Sequence, residues 1–209
     1  MQNIKDNSIL AFKQFFKEIN KSKGHSNNGK DFEQNIMDLL EKLNFSKKTW
    51  NEKFDISNVR FTTSEKNDIK QQITDKNSVE LVKNPNYNIS YIYIYQPFGS
   101  QNFPDFLIIT EKYILPLEIK FSTKNKKDNK PKWNSTIPKS NALYIYSKVN
   151  EDVIYFLGSD FIGNETRILL NNFFDDEFKN EMKEKLNKLK SKNKDNPFGL
   201  RPYIRKDYT

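Results

Sequence analysis

Apolar residues recur along this chain in two rhythms, every third or fourth position in some stretches and every second in others. The first rhythm marks amphipathic helices and the second half-buried strands. Residues 7–20, Asn-Ser-Ile-Leu-Ala-Phe-Lys-Gln-Phe-Phe-Lys-Glu-Ile-Asn, predict a helix. From Gly29 to Leu43 a second follows, with Phe32, Ile36, Leu39, Leu40 and Leu43 on one face and Asp31 expected to cap its start. Residues 46–82 are polar and carry little rhythm; helical character is confined to Asn67–Gln72, and the region is expected to pack over a sheet. Tyr91-Ile-Tyr-Ile-Tyr95 predicts a strand, as do Asn141–Tyr146 and Val153–Leu157, the last two separated by a turn at Lys148–Asp152. A charged helix is expected over residues 175–195, with Phe178, Met182, Leu186 and Leu189 as a narrow stripe, followed by a basic aromatic tail. The order of elements indicates an α/β sandwich with a mixed central sheet, in one domain spanning 1–209.

Between the first strand and the later ones lies a hairpin. Phe103-Pro-Asp-Phe-Leu-Ile-Ile-Thr110 and Tyr113-Ile-Leu-Pro-Leu-Glu-Ile-Lys-Phe121 are two apolar runs around a polar break, Glu111-Lys112. With that break as the tip, Thr110 faces Tyr113, and opposed residue numbers total 223 all the way down. Asp105 then lies opposite Glu118, on the same face and with Cβ atoms roughly 4.5–5.5 Å apart. Lys120, two residues on, points the same way. Glu-Lys is a poor tight turn, which favours Asn or Gly. A one-residue slip would throw the two carboxylates onto opposite faces.

Composition narrows the chemistry. The 209 residues include no cysteine, which excludes disulfides, thiolate metal sites and cysteine nucleophiles. The lone His25 sits in a polar loop sequence, so serine–histidine hydrolysis has no base. No apolar run is long enough to span a bilayer and the N-terminus lacks a signal-peptide pattern, so a cytoplasmic protein is expected. The net charge of +8 favours a polyanionic partner, although heavy use of Lys, Asn and Ile also reads as a coding bias.

Two converging carboxylates repel one another unless a cation lies between them. A hard divalent ion such as Mg2+ suits them, because it takes a few carboxylates together with water and phosphate oxygens. Such an ion polarises a phosphoryl oxygen and activates water, and a neighbouring lysine orients the water or offsets charge developing on the phosphorane. Asp105, Glu118 and Lys120 are therefore candidate catalytic residues, with Mg2+ as the expected cofactor.

Pro104-Asp105 with Glu118-Ile119-Lys120 resembles the motif of the PD-(D/E)xK nucleases, and Gln96-Pro-Phe-Gly-Ser-Gln-Asn-Phe-Pro-Asp-Phe-Leu-Ile108 resembles members that are type II restriction endonucleases. The resemblance covers roughly residues 29–150 and implies a restriction-endonuclease-like core, a mixed sheet flanked by helices, reaching to about residue 157. In that family a Gly-x-x-Phe-Glu helix often sets a glutamate beside the metal. Gly29-Lys-Asp-Phe-Glu33 matches it, which implies Glu33 as a third metal-site acid; read from its position alone, Glu33 is equally a first-turn acid favoured by the helix dipole.

Sequence readout is expected from the segment after the catalytic strand. Asn134, Ser135, Lys139 and Ser140 offer donors and acceptors for base edges, and Lys124, Lys126, Lys127, Lys130 and Lys132 offer phosphate contacts. Gln96, Ser100 and Gln101 are second candidates, with turn formation around Gly99 as their alternative role. The leading expectation is a restriction endonuclease acting on double-stranded DNA as a homodimer, with a cognate methyltransferase in the same system but not as a stable subunit. A structure-selective junction nuclease and a non-catalytic DNA-binding module on the same scaffold are the alternatives.

Overall fold

The computed structural model of the protein describes residues 7–19, 21, 28–52, 59–75, 78–100, 102–122, 138–149 and 151–173, together with helical residues between 180 and 191. The candidate DNA contacts Gln101, Lys124, Lys126, Lys127, Lys130, Lys132, Asn134 and Ser135 lie outside the described residues. So do His25, the stripe residues Phe178, Met182, Leu186 and Leu189, and the tail after residue 191.

The described chain is α/β, with a mixed open sheet of seven strands flanked by helices. In chain order the elements are α1 (Asn7–Ile19), α2 (Gly29–Lys42), β1 (Ser46–Lys47), α3 (Thr63–Thr74), β2 (Val82–Lys83), β3 (Ile92–Tyr95), β4 (Phe106–Ile109), β5 (Tyr113–Ser122), β6 (Leu143–Lys148), β7 (Ile154–Leu157), α4 (Gly158–Phe161) and α5 (Asn164–Phe173). The strands lie in the order β1-β3-β4-β5-β6-β7, and β2 pairs with the start of β5. β1 runs parallel to β3 and β5 parallel to β6; the other pairs are antiparallel. Among the described residues no helix is long and apolar enough to cross a membrane.

Side-chain alternation divides the core into two layers. Tyr93, Phe106, Ile108, Leu115, Leu117, Ile119, Leu143 and Ile145 turn toward α1 and α2. Ile92, Ile94, Leu107, Ile109 and Ile114 turn the other way, toward Ile69 and Ile73 of α3 and the ring of Trp50. Each sheet face thus has its own helical cover, which is why the central strands are apolar on both sides.

α2 starts at Asn28 rather than at the expected cap, Asp31. The Asn28 side chain accepts the Asp31 amide at 3.0 Å, and Asp31 lies one turn inside, where its charge meets the helix dipole. α3 is longer than the helical stretch read from sequence. Its start is a reciprocal cap: Thr62 Oγ1 accepts the Glu65 amide while the Glu65 carboxylate accepts the Thr62 amide.

The hairpin follows the expected register. Phe106, Leu107, Ile108 and Ile109 pair with Leu117, Pro116, Leu115 and Ile114. Its unfavourable Glu-Lys tip is held from outside. Thr110 donates to the Tyr113 carbonyl through both its amide (2.9 Å) and its hydroxyl (2.8 Å), and Asn84 Nδ2 donates to the Thr110 carbonyl at 2.8 Å. The Lys112 amide donates to Ser8 Oγ at 3.1 Å, and its carbonyl accepts from the Asn84 amide at 2.8 Å. These side chains supply what Asn-Gly would supply by conformation alone.

Behind β6, Arg167 is 1% exposed, and its guanidinium donates to the carbonyls of Pro138, Gly158 (2.6 Å) and Ile162 (2.9 Å). Burial lowers its pKa, and no carboxylate contributes to that balance. Close by, any Cβ built on Gly158 would collide with the Lys139 carbonyl. Gly158→Ala is therefore expected to destabilise the fold by about 1–3 kcal/mol, because the obstacle is backbone and cannot swing aside. A urea titration reads this as a lower midpoint, and an unchanged midpoint would contradict the packing.

Candidate active site

The β4–β5 ladder ends at Phe106–Leu117. Just beyond it, Asp105 accepts the Ile119 amide on Oδ2 at 2.7 Å, and its own carbonyl accepts the Gln96 amide at 2.7 Å. The strand end is closed by the aspartate side chain, so the carboxyl is fixed in place rather than free to rotate. Glu118 continues the face of Ile114 and Pro116, which is the α3 side of the sheet. Lys120 Nζ meets Glu118 Oε1 at 2.6 Å. Their side chains are only 30% and 15% exposed, so the pair is less screened by solvent than a surface ion pair.

One oxygen remains. Glu118 Oε2 is buried and has no hydrogen-bond partner among the described residues. A buried, ionised oxygen without a donor is costly unless a cation meets it. Asp105 experiences the same local excess of negative charge. Its pKa is raised to about 7, first by burial and then by the charge of Glu118, with a smaller push from Glu33. The Ile119 amide and Lys120 pull the other way.

Glu33 approaches the sheet from the opposite face. Tyr95 Oη donates to Glu33 Oε2 at 2.6 Å, and Gln96 Nε2 donates to Tyr95 Oη at 2.9 Å. Burial and the nearby acids raise the Tyr95 phenol to about 12, so it stays a donor at any ordinary pH. Tyr93 binds Glu41 on α2 in the same way at 2.8 Å. Two tyrosines of β3 thus anchor α2 through two glutamates. Among the described residues no three acids or histidines are grouped to share an ion. The donors brought together are Asp105 and Glu118, with Glu33 near enough to add to the field but held by Tyr95.

No protein-family model, curated protein or solved structure matches this chain.

The candidate readout residues fare unevenly. Ser140 is 2% exposed, so its hydroxyl is not presented to a groove; the expectation that it contacts bases is corrected by the packing of the 138–140 segment against Arg167. Lys139 is half-buried, its amide donating to Tyr144 Oη and its ammonium set 3.4 Å from the Thr74 carbonyl. Gln96 is half-buried, in the left-handed backbone region at φ 47°, with its amide nitrogen bonded to Tyr95. Strain of that kind persists only where the surroundings enforce it. Ser100 is exposed.

Sequence reasoning passed over Tyr144. It pairs with Glu118 across the parallel β5–β6 ladder and stacks between Phe103 (6.4 Å) and Phe156 (5.7 Å), which itself stacks on Phe161 (5.2 Å). This aromatic column begins two residues before Asp105 and forms an apolar wall beside the carboxylates. Burial is the first cause of the raised Tyr144 pKa, and the charge of Glu118 adds to it.

Proposed function

We propose that this chain is a Mg2+-dependent nuclease of the PD-(D/E)xK type with a restriction-endonuclease-like core, and specifically a type II restriction endonuclease. It would cleave double-stranded DNA at a specific sequence, in the cytoplasm, as a homodimer in which each subunit cuts one strand. The observation that carries this reading is the pairing of Asp105 with Glu118 across a register-locked hairpin, with a buried glutamate oxygen that lacks a donor.

The donor set suits the ion: all oxygen, negatively charged, and few enough to leave positions for water and phosphate. Asp105 and Glu118 Oε2 would hold it. When bound, Mg2+ polarises a phosphoryl oxygen and makes water more acidic. Lys120, already within 2.6 Å of Glu118, is placed to orient the attacking water and to meet charge building on the phosphorus oxygens. Tyr144 and Phe103 exclude bulk water on one side, which strengthens these electrostatic contacts. Glu33 acts through Tyr95 and through its field on Asp105, as a positioning residue.

Unmethylated phage DNA with Mg2+ tests the reading. Wild type is expected to give discrete fragments, while EDTA abolishes cutting and Lys120→Ala slows it by about 100-fold or more. Cleavage by Lys120→Ala at the wild-type rate would remove the hairpin from the chemistry. Smearing or nicking would point instead to a structure-selective nuclease, to be tried on four-way junctions. Binding without cleavage would favour a non-catalytic module.

A further inference from the structure

We propose that α3 is a DNA-gripping element, with Lys66 and Lys70 holding the phosphate backbone of a duplex whose scissile bond lies at Asp105 and Glu118. The proposal deepens the nuclease reading and rests on it.

Lys66 and Lys70 stand one helical turn apart on α3, above the two residues that bury the helix, Ile69 and Ile73. Their ammonium groups are not loose. Lys66 Nζ lies 5.2 Å over the Trp50 ring and Lys70 Nζ 5.4 Å over the Phe98 ring. Those rings form one shelf, 5.9 Å between centroids, with Phe61 packed edge-on against Trp50. Trp50 Nε1 donates to the Pro97 carbonyl at 2.6 Å, and Asn102 Nδ2 donates to the Phe98 carbonyl at 2.8 Å. The shelf is therefore built into the turn that runs directly to Asp105. α3 also covers the same sheet face on which Asp105 and Glu118 lie.

Among the described residues no acid pairs with these charges. The Glu65 carboxylate is turned back onto Thr62, bonded by both its amide and its hydroxyl. Asp68 is two residues from each lysine, about 200° around the helix and so on the far side. Two like charges one turn apart weaken a helix, and Lys66, at the fourth of its twelve residues, also meets the positive end of the dipole. A polyanion relieves both penalties. Cation–π contact supplies the geometry, fixing each ammonium over its ring, with Lys66 half-buried and Lys70 exposed.

The test measures binding of the full chain to a fluorescently labelled DNA duplex in EDTA, so that cleavage does not intervene, as NaCl is raised. Each lost phosphate contact removes about 0.9 from the slope of log affinity against log salt, so Lys66→Gln/Lys70→Gln should lower it by about 1.8. Affinity at the low-salt end should fall about tenfold or more. The control is Lys13→Gln/Lys17→Gln, an exposed pair with the same spacing on α1, across the sheet, which should leave the slope at the wild-type value. Circular dichroism confirms that both doubles keep their helix content. An unchanged slope in the α3 double, or an equal loss in both doubles, overturns the assignment while leaving the nuclease reading standing. Failure of wild type to bind the duplex at all removes both.

Discussion

Asp105→Asn should make the protein more stable while stopping its chemistry. Asparagine keeps an oxygen for the Ile119 amide, so the hydrogen bond that fixes the strand end survives. What disappears is a charge that the fold resists. The pKa of Asp105 is raised to about 7 from its ordinary 3.8, so the folded state binds this proton more tightly than the unfolded chain does. Stability accordingly falls as pH rises from about 4 to about 7, and the full penalty applies above that. Because the group is partly open to solvent, a gain of about 2 kcal/mol at pH 8 is expected for the variant, or a few degrees in Tm. The gain should shrink on acidification and vanish below about pH 3, where both states of the wild type are protonated. Mg2+ should raise the Tm of wild type more than that of the variant, since only the wild type has both carboxylates that would hold the ion. Cleavage should drop about a thousandfold or more, which corresponds to about 4 kcal/mol in the barrier. Thermal melts across this pH range, with and without Mg2+, read every part of this. A variant no more stable than wild type at pH 8 would show that the site is not electrostatically strained.

Arg167→Met carries the largest expected cost. Methionine fills the volume and removes a buried cation, which by itself is close to neutral. It also takes a donor from the carbonyls of Pro138, Gly158 and Ile162; Gly158 keeps the Ile162 amide at 3.3 Å and Ile162 is only half-buried, so the Pro138 carbonyl bears most of the loss. With one carbonyl orphaned at about 1–3 kcal/mol and two further bonds lost at about 1 kcal/mol each, the net loss should be about 2–4 kcal/mol. The effect should extend beyond stability. Pro138 opens the described segment that leads into β6, and the Lys139 amide is bonded to Tyr144, the ring beside Glu118. Loosening that junction is expected to raise the sensitivity of the 138–141 amides to hydrogen exchange more than that of α1 or α2. Equal protection across the fold would confine Arg167 to a purely global role.

The parts of the fold visible in sequence are those governed by local periodicity. The hairpin is legible to the residue, because the polar break Glu111-Lys112 between two apolar runs marks the tip and counting from it sets Asp105 opposite Glu118. Legible from periodicity are α1, α2 and the strands β3, β6 and β7, within two residues or so of their ends. α3 is legible only in part. Its buried stripe is just Ile69 and Ile73, too narrow to stand out among polar neighbours, although Thr62-x-x-Glu65 already had the form of a reciprocal cap. β1 and β2 are two-residue strands created by their partners Ile92–Tyr93 and Tyr113–Ile114, so no local pattern announces them. At the site, Asp105, Glu118 and Lys120 were legible because β-geometry links their spacing to a shared face. The place of Glu33 on α2 is legible, but its bond to Tyr95 spans 62 positions of chain and has no local signature. Ser140 reads as a polar contact residue in one dimension and is buried in three, because a distant arginine anchors its neighbour Pro138.

The braced hairpin tip imposes a parity rule on this chain. Asp105 and Glu118 face one another only while the residues between them keep the present count, modulo two, on each side of the tip. An insertion of two residues at Glu111-Lys112 lengthens the turn and spares the pair. A single inserted residue that moves the register carries one carboxylate through the sheet to the α1–α2 side, and the catalytic pair is lost although every one of its residues is still encoded. Asn84 and Ser8, which grip the tip from two other elements, act against such slippage from outside the site. Length variation among relatives of this protein should therefore come in even steps at this turn.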